Sequence, residues 1–209
     1  MIEWYYPLLA WAAVLAAMAR GLQVLFGDRG PRWLPLLVGV VAWIPVAGLP
    51  IARWLHGFNS NLSIPLVAIL LNASLSPFCG RRWLDERALR AGLWFGASAG
   101  VILYPMAAGF GAFDPYGLGW HWPGIELVVG GLAVMLLWRG NAFGWVLLVT
   151  GVAWRMECME SQNVWDYLVD PVYFILSLIG LVAPRRRIAI VDRVSSDPDL
   201  SEGTAVPQP

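Results

Sequence analysis

Apolar residues fill seven long segments of the chain, and short polar stretches separate them. At a rise of about 1.5 Å per residue, a helix needs about 20 mostly apolar residues to cross a bilayer. The pattern therefore predicts an all-α fold, a polytopic membrane helix bundle of six or seven transmembrane helices over residues 1–184. The segments are Trp4–Ala19, Trp33–Ala52, Leu62–Cys79, Ala88–Phe110, Pro123–Trp138, Asn141–Trp154 and Val164–Ala183.

The fifth and sixth segments are short, and the turn Arg139-Gly140-Asn141 separates them. They are compatible with two short spans or with one re-entrant hairpin. The purely apolar part of the last segment, Val172–Ala183, is also short. A helix of this length would measure only about 18 Å. We expect residues 185–209, which are rich in Ser, Asp and Pro, to form a disordered cytoplasmic tail.

The composition agrees with a membrane protein. Of the 209 residues, 58% are hydrophobic and 13% are charged, whereas soluble domains carry about 25% charged residues. This balance excludes most classes of soluble enzyme and makes the lipid bilayer the expected partner. The formal net charge is zero, so nothing indicates a nucleic-acid partner.

The arginines predict an orientation through the positive-inside rule. With seven spans, four groups of arginines fall on one face, which puts the N-terminus outside and the C-terminus inside. Cys79 should then lie inside and Cys158 outside. All basic residues are Arg and the chain is compact, which favours a bacterial inner membrane. The arginines of this face are Arg29, Arg32, Arg81, Arg82, Arg87, Arg90, Arg139, Arg185, Arg186 and Arg187.

The three loops of the opposite, outer face collect both histidines and most carboxylates outside the tail. If the chain is helical from Asn163, then Asn163, Asp166 and Asp170 share one helix face. Such groups suit acid–base work, but no spacing matches a known metal motif, so we assign no metal site and leave cofactors open. The catalytic candidates are His56, His121, Glu157, Asp166 and Asp170; the substrate-binding candidates are Arg53, Arg155 and Asn163.

Several polar residues on this face also have a structural interpretation. Asp170 precedes Pro171, as a helix N-cap does before proline at the first helical position. Glu126 lies in a predicted first helical turn, where the helix dipole favours a carboxylate. Glu157 and Glu160 are compatible with simple solvation. The tryptophans near the loops fit an aromatic belt at the membrane surface.

Three glycines recur four residues apart in the fourth segment, at Gly92, Gly96 and Gly100. Small residues at this spacing let two helix backbones approach closely. We therefore predict a helix-packing face here, with a partner helix from this chain or from another one.

Three functions are compatible with the sequence. The first is a non-enzymatic accessory or scaffold subunit in cell-envelope processes, with its polar face toward the periplasm and a membrane or periplasmic protein as partner. The second is a small membrane enzyme that acts on a lipid or lipid-linked substrate at the outer surface. The third is a transporter or channel, although no ionisable residue lies near the centre of a predicted span.

Overall fold

The computed structural model describes residues 2–28, 30–121 and 124–183, and this part of the chain is all-α apart from one small hairpin. The predicted tail, residues 185–209, lies outside the described residues. The helices are α1 (Tyr5–Leu25), α2 (Leu34–Val40), α3 (Ile51–His56), α4 (Ile64–Cys79), α5 (Glu86–Ala107), α6 (Pro115–His121), α7 (Gly124–Trp138), α8 (Phe143–Arg155), α9 (Val164–Leu168) and α10 (Pro171–Val182).

Helix α1 has 21 residues, and in the described part it alone is both long and apolar enough to cross a membrane. The other apolar helices of the described part are shorter, with 10–17 residues each. They are Leu34–Trp43, Ile64–Cys79, Gly124–Trp138, Phe143–Arg155 and Pro171–Val182.

The second apolar segment is not one helix, which corrects the prediction for Trp33–Ala52. Its helical part ends with a 3-10 turn at Trp43, and a hairpin of two two-residue strands follows, β1 (Pro45–Val46) and β2 (Leu49–Pro50). Proline has no backbone N–H and disfavours helical geometry in the residue before it. Ala47 and Gly48 form the turn, both with positive φ, as a two-residue hairpin turn of type I′ requires.

The last apolar segment is also interrupted, so the prediction that one helix carries Asn163, Asp166 and Asp170 on a single face is wrong. Helix α9 stops at Leu168, and Asp170 has extended backbone angles (φ −122°, ψ 164°). The cause is Pro171, which moves the residue before it out of the helical region.

Loop contacts define two ends of the helix bundle. At one end, the Tyr6 hydroxyl donates to the carbonyl of Leu62, so the N-terminus lies beside the start of α4. At the other end, the Asn141 amide donates to the carbonyl of Arg87 at 3.5 Å. We call residues 51–63, 108–121 and 155–170 the cap, and residues 26–28, 30–33, 80–87 and 139–142 the basic end. By the order of these loops along the chain, α1, α4, α7 and α10 lead away from the cap, whereas α2, α5 and α8 lead toward it.

The glycines of α5 face large side chains of the same chain. A Cβ at Gly96 would overlap Ser177 and Tyr173, and a Cβ at Gly100 would overlap Phe174. Helices α5 and α10 therefore approach closely along an antiparallel pair. Gly92 faces Phe143 of α8, and its carbonyl accepts a hydrogen bond of 2.6 Å from the Tyr173 hydroxyl.

Asn72 fixes the basic end from inside α4. Its side chain is 2% exposed; the oxygen accepts from the backbone N–H groups of Trp83 and Leu84, and the nitrogen donates to the Leu84 carbonyl. One buried amide therefore holds the α4–α5 connection against its own helix.

Candidate functional site

The cap is built around the N-terminus of α9, where Asn163 is fully buried. Its side-chain oxygen accepts from the N–H of Trp165, and its side-chain nitrogen donates to the carbonyl of Tyr116, both at 3.0 Å. The Trp165 indole donates to the carbonyl of Pro115 at 2.8 Å. Gly119 allows this contact because a Cβ there would overlap Asn163. Helices α6 and α9 are therefore locked together.

Asp166 joins the same two helices through its carboxylate. The Tyr116 hydroxyl lies 3.2 and 3.3 Å from the two carboxylate oxygens, and the Ser161 hydroxyl donates to one of them. Desolvation raises the pKa of Tyr116 to about 12, with a further contribution from the Asp166 charge. The phenol therefore stays protonated near neutral pH and acts as a hydrogen-bond donor.

Arg53, His56 and Glu160 form a second group in the cap. Arg53 Nη1 lies 3.1 Å and His56 Nε2 lies 3.4 Å from Glu160 Oε1. Burial raises the pKa of Glu160, but the hydrogen bond from Arg53 and the nearby imidazole of His56 outweigh burial and lower it overall. The Arg53 guanidinium also stacks 4.0 Å from the ring centroid of Trp4. The group ties α3 to the α8–α9 loop and to the N-terminus.

Asp170 is 3% exposed and lies between α9 and α10. One of its oxygens accepts from the N–H groups of Val172 (2.8 Å) and Tyr173 (3.0 Å), which caps α10. The other oxygen accepts from the N–H of Ser63 at 2.8 Å. The carboxylate therefore joins the start of α10 to the start of α4, with both oxygens bound to backbone groups.

A third charged group lies at the end of the α7–α8 hairpin. Arg155 donates from Nε (3.1 Å) and Nη2 (2.7 Å) to one oxygen of Glu126. The Arg155 side chain is 68% exposed, and its guanidinium lies 5.1 Å from the ring centroid of Trp154.

The structure distributes the candidate residues over separate groups within one cap. His56 and Arg53 contact Glu160, Asp166 contacts Tyr116, and the Asp170 oxygens bind backbone N–H groups. Glu157 is exposed, at a loop position with φ of 51°. His121 ends α6, but its side chain lies outside the described part. In the described residues, no group of three or more His, Cys, Asp or Glu side chains is arranged to hold a metal ion.

Sequence reasoning missed the partners that give these residues their geometry. Tyr116, Ser161 and Ser63 each bind a candidate residue, and all lie in loops or short helices. Only the local contact Ser161–Asp166, at a separation of five residues, carries a signal in the sequence. The other two contacts depend on how distant loops fold over the bundle.

Comparison with known protein families, curated proteins and solved structures finds no match to this chain. The arrangement of its own residues is therefore the basis for a functional proposal.

Proposed function

We propose that this chain is a multi-pass protein of a bacterial inner membrane, with its cap toward the periplasm, and that it serves as a non-enzymatic accessory or scaffold subunit in cell-envelope processes. The membrane part of the proposal is supported by apolar side chains that face outward along the helices. Soluble monomers rarely expose contiguous apolar patches larger than a few hundred Å². Outward-facing examples are Val101, Ile102, Leu127, Val128, Val134, Val149, Val152, Ile175 and Ile179.

The distribution of charge supports the orientation. In the described part, the arginines at or near the basic end include Arg81, Arg87, Arg90 and Arg139, whereas the cap holds only Arg53 and Arg155. The positive-inside rule counts arginines near the ends of the spans, rather than net charge, and puts the excess on the cytoplasmic side. The basic end is therefore assigned to the cytoplasm.

The scaffold role is supported by one observation: the polar side chains of the cap bond to one another across loops. The carboxylate of Asp166 is engaged by Tyr116 and Ser161, and that of Asp170 by three backbone N–H groups. Bonds of this kind fix a surface in place. A rigid surface binds a partner with little loss of entropy on association.

Exposed aromatic side chains on the cap supply the contact area for a partner. Phe58 is 87% exposed and Phe110 is 86% exposed, and Phe113 and Trp120 are also exposed. Aromatic residues are enriched in protein interfaces and in their energetic hot spots. We therefore place the partner-binding surface on the cap.

A photo-crosslinking amino acid at Phe58 or Phe110 tests the scaffold role in native membranes. We expect both positions to give an adduct with the same envelope protein. Trp138, which is 87% exposed next to the basic end, is the matched control and should not give that adduct. Adducts with lipid alone at both cap positions, or equal adducts at Trp138, would contradict a partner-binding cap.

A membrane enzyme acting on a lipid-linked substrate is the second candidate, and the group Arg53–His56–Glu160 favours it. The imidazole lies 3.4 Å from a carboxylate that is 51% exposed, next to a guanidinium that could bind an anionic headgroup. His56→Gln separates the two functions. It should leave the crosslinked adduct unchanged in a scaffold, and it should abolish turnover of the substrate in an enzyme.

A further inference from the structure

A groove of about 350 Å³ lies between α7 and α8 and reaches α9. Its volume falls in the range of about 300–1,000 Å³ that is common for small-molecule sites. The surrounding helix surface is apolar and faces outward, with Leu127, Val128 and Val152 all more than half exposed. Its apolar wall includes Val129, Gly130, Leu147, Leu148, Gly151 and Leu168.

Two glycines keep this groove open. A Cβ at Gly130 or at Gly151 would meet no atom within 4 Å. Gly144, on the same hairpin, differs because a Cβ there would press on the backbone of Ala133 and on Leu137. Gly144 therefore serves helix packing, whereas Gly130 and Gly151 leave space for something outside the chain.

The ion pair Glu126–Arg155 lies at the cap end of the groove and lines it. The pair carries one negative and one positive charge, both accessible from outside, with side-chain exposures of 29% and 68%. A zwitterionic headgroup with a phosphate and an ammonium complements both charges. A lipid with only a phosphate charge competes with Glu126 for Arg155 and offers Glu126 no cation in exchange.

We propose that this groove binds one aminophospholipid of the phosphatidylethanolamine class. Arg155 binds the phosphate, Glu126 binds the ammonium, and an acyl chain fills the apolar groove beside Gly130 and Gly151. The inference rests on the membrane insertion proposed above, but it does not depend on the scaffold role or on a protein partner.

Lipid binding to the purified, delipidated protein tests the proposal by native mass spectrometry. The probes are phosphatidylethanolamine and phosphatidylglycerol with identical acyl chains. We expect Gly130→Leu to weaken phosphatidylethanolamine binding about tenfold, because leucine fills the groove. Gly131→Leu is the matched control, since Gly131 also has open space around its Cβ but does not line the groove. It should bind like the wild type.

Two further variants keep the test decisive. Gly151→Leu fills the groove from α8 and should reproduce the loss if Gly130→Leu folds poorly. Glu126→Gln removes the ammonium partner, so it should abolish the preference for phosphatidylethanolamine over phosphatidylglycerol. Equal losses in Gly130→Leu and Gly131→Leu, or no headgroup preference in the wild type, would overturn the proposal.

Extraction of membranes with alkaline carbonate separates this inference from the proposed function. A chain that resists extraction but binds both lipids equally retains its membrane assignment and loses only the lipid site. A chain that carbonate releases loses both. If leucine at position 130 displaces a co-purifying protein and not the lipid, the groove belongs to a protein partner and the lipid proposal is wrong.

Discussion

The Asp170 carboxylate ties α10 to the residue before α4 through three backbone N–H groups. Asp170→Ala leaves these donors without a partner, and those of Ser63 and Tyr173 are buried. An unsatisfied buried polar group costs about 1–3 kcal/mol. We expect a loss of about 2–4 kcal/mol in the free energy of unfolding, counting the lost helix cap. Reversible unfolding of the detergent-solubilised protein measures it.

Asp114→Ala provides the control for that measurement. Asp114 is exposed and accepts one local hydrogen bond, from the N–H of Tyr116 at 3.0 Å. Asp114→Ala should lower the free energy of unfolding by about 0.5–1 kcal/mol, well under half the loss expected for Asp170→Ala. Equal effects of the two substitutions would show that Asp170 does not hold the cap together.

Glu160 makes the cap sensitive to acid. Its pKa in the folded protein is below the ordinary value of 4.5, so its ion pairs contribute stability above that value. This contribution is lost as the pH falls through the folded pKa. Glu160→Gln should therefore lower the unfolding temperature at about pH 7, and the difference from the wild type should vanish below the folded pKa.

Glu157→Gln is the matched variant for this pH series, because Glu157 is an exposed carboxylate in the same loop. It should not reproduce the pH-dependent difference. A stability difference for Glu160→Gln that persists unchanged into acid would mean that its charge does not stabilise the fold.

At the residue scale, the sequence indicates the contacts that a residue makes with its chain neighbours, but not those that it makes with distant residues. The dipeptide Asp170-Pro171 indicates a helix cap, and Asp170 does bind the first N–H groups of α10. Its bond to Ser63 joins residues 107 positions apart. No local pattern encodes such a contact, because it depends on how the helices pack.

At the element scale, the glycines of α5 determine how closely α10 can approach. Gly100→Ala places a methyl group against the ring of Phe174. We expect a loss of about 1–3 kcal/mol in unfolding free energy, the usual cost of overpacking. Gly131→Ala has open space around its Cβ and should be neutral or stabilising by up to about 1 kcal/mol. If the two variants have equal unfolding free energies, the close α5–α10 contact is wrong.

Apolar runs located most helices, but they concealed the breaks within them. The second segment reads as continuous apolar sequence, yet it turns through a hairpin at Ala47 and Gly48. Pro45 and Pro50 carried the signal, since proline disrupts helical hydrogen bonding. Mean hydropathy cannot detect such a break because proline, alanine and glycine hardly alter the apolar pattern.

At the scale of the whole molecule, the alternation of polar ends with apolar sides supports the proposed membrane setting. In the described part, α1 alone is both long and apolar enough to cross a membrane, and the apolar helices of 10–17 residues would require a locally thinned bilayer. Charge at the two ends was predictable because arginines cluster in sequence. The pairing of arginines with carboxylates in the cap was not predictable, because each ion pair joins different segments of the chain.

Labelling of intact cells with a membrane-impermeant maleimide tests the proposed orientation most directly. Cys79 is exposed near the basic end, whereas burial raises the pKa of the Cys158 thiol and slows its reaction. We would therefore compare Cys158→Ala, which leaves Cys79, with a second protein that carries Ser60→Cys in the cap and alanine at both native cysteines. We predict labelling of the cap cysteine in intact cells, and of Cys79 only after permeabilisation. Labelling of Cys79 in intact cells, with the cap cysteine protected, would contradict the account.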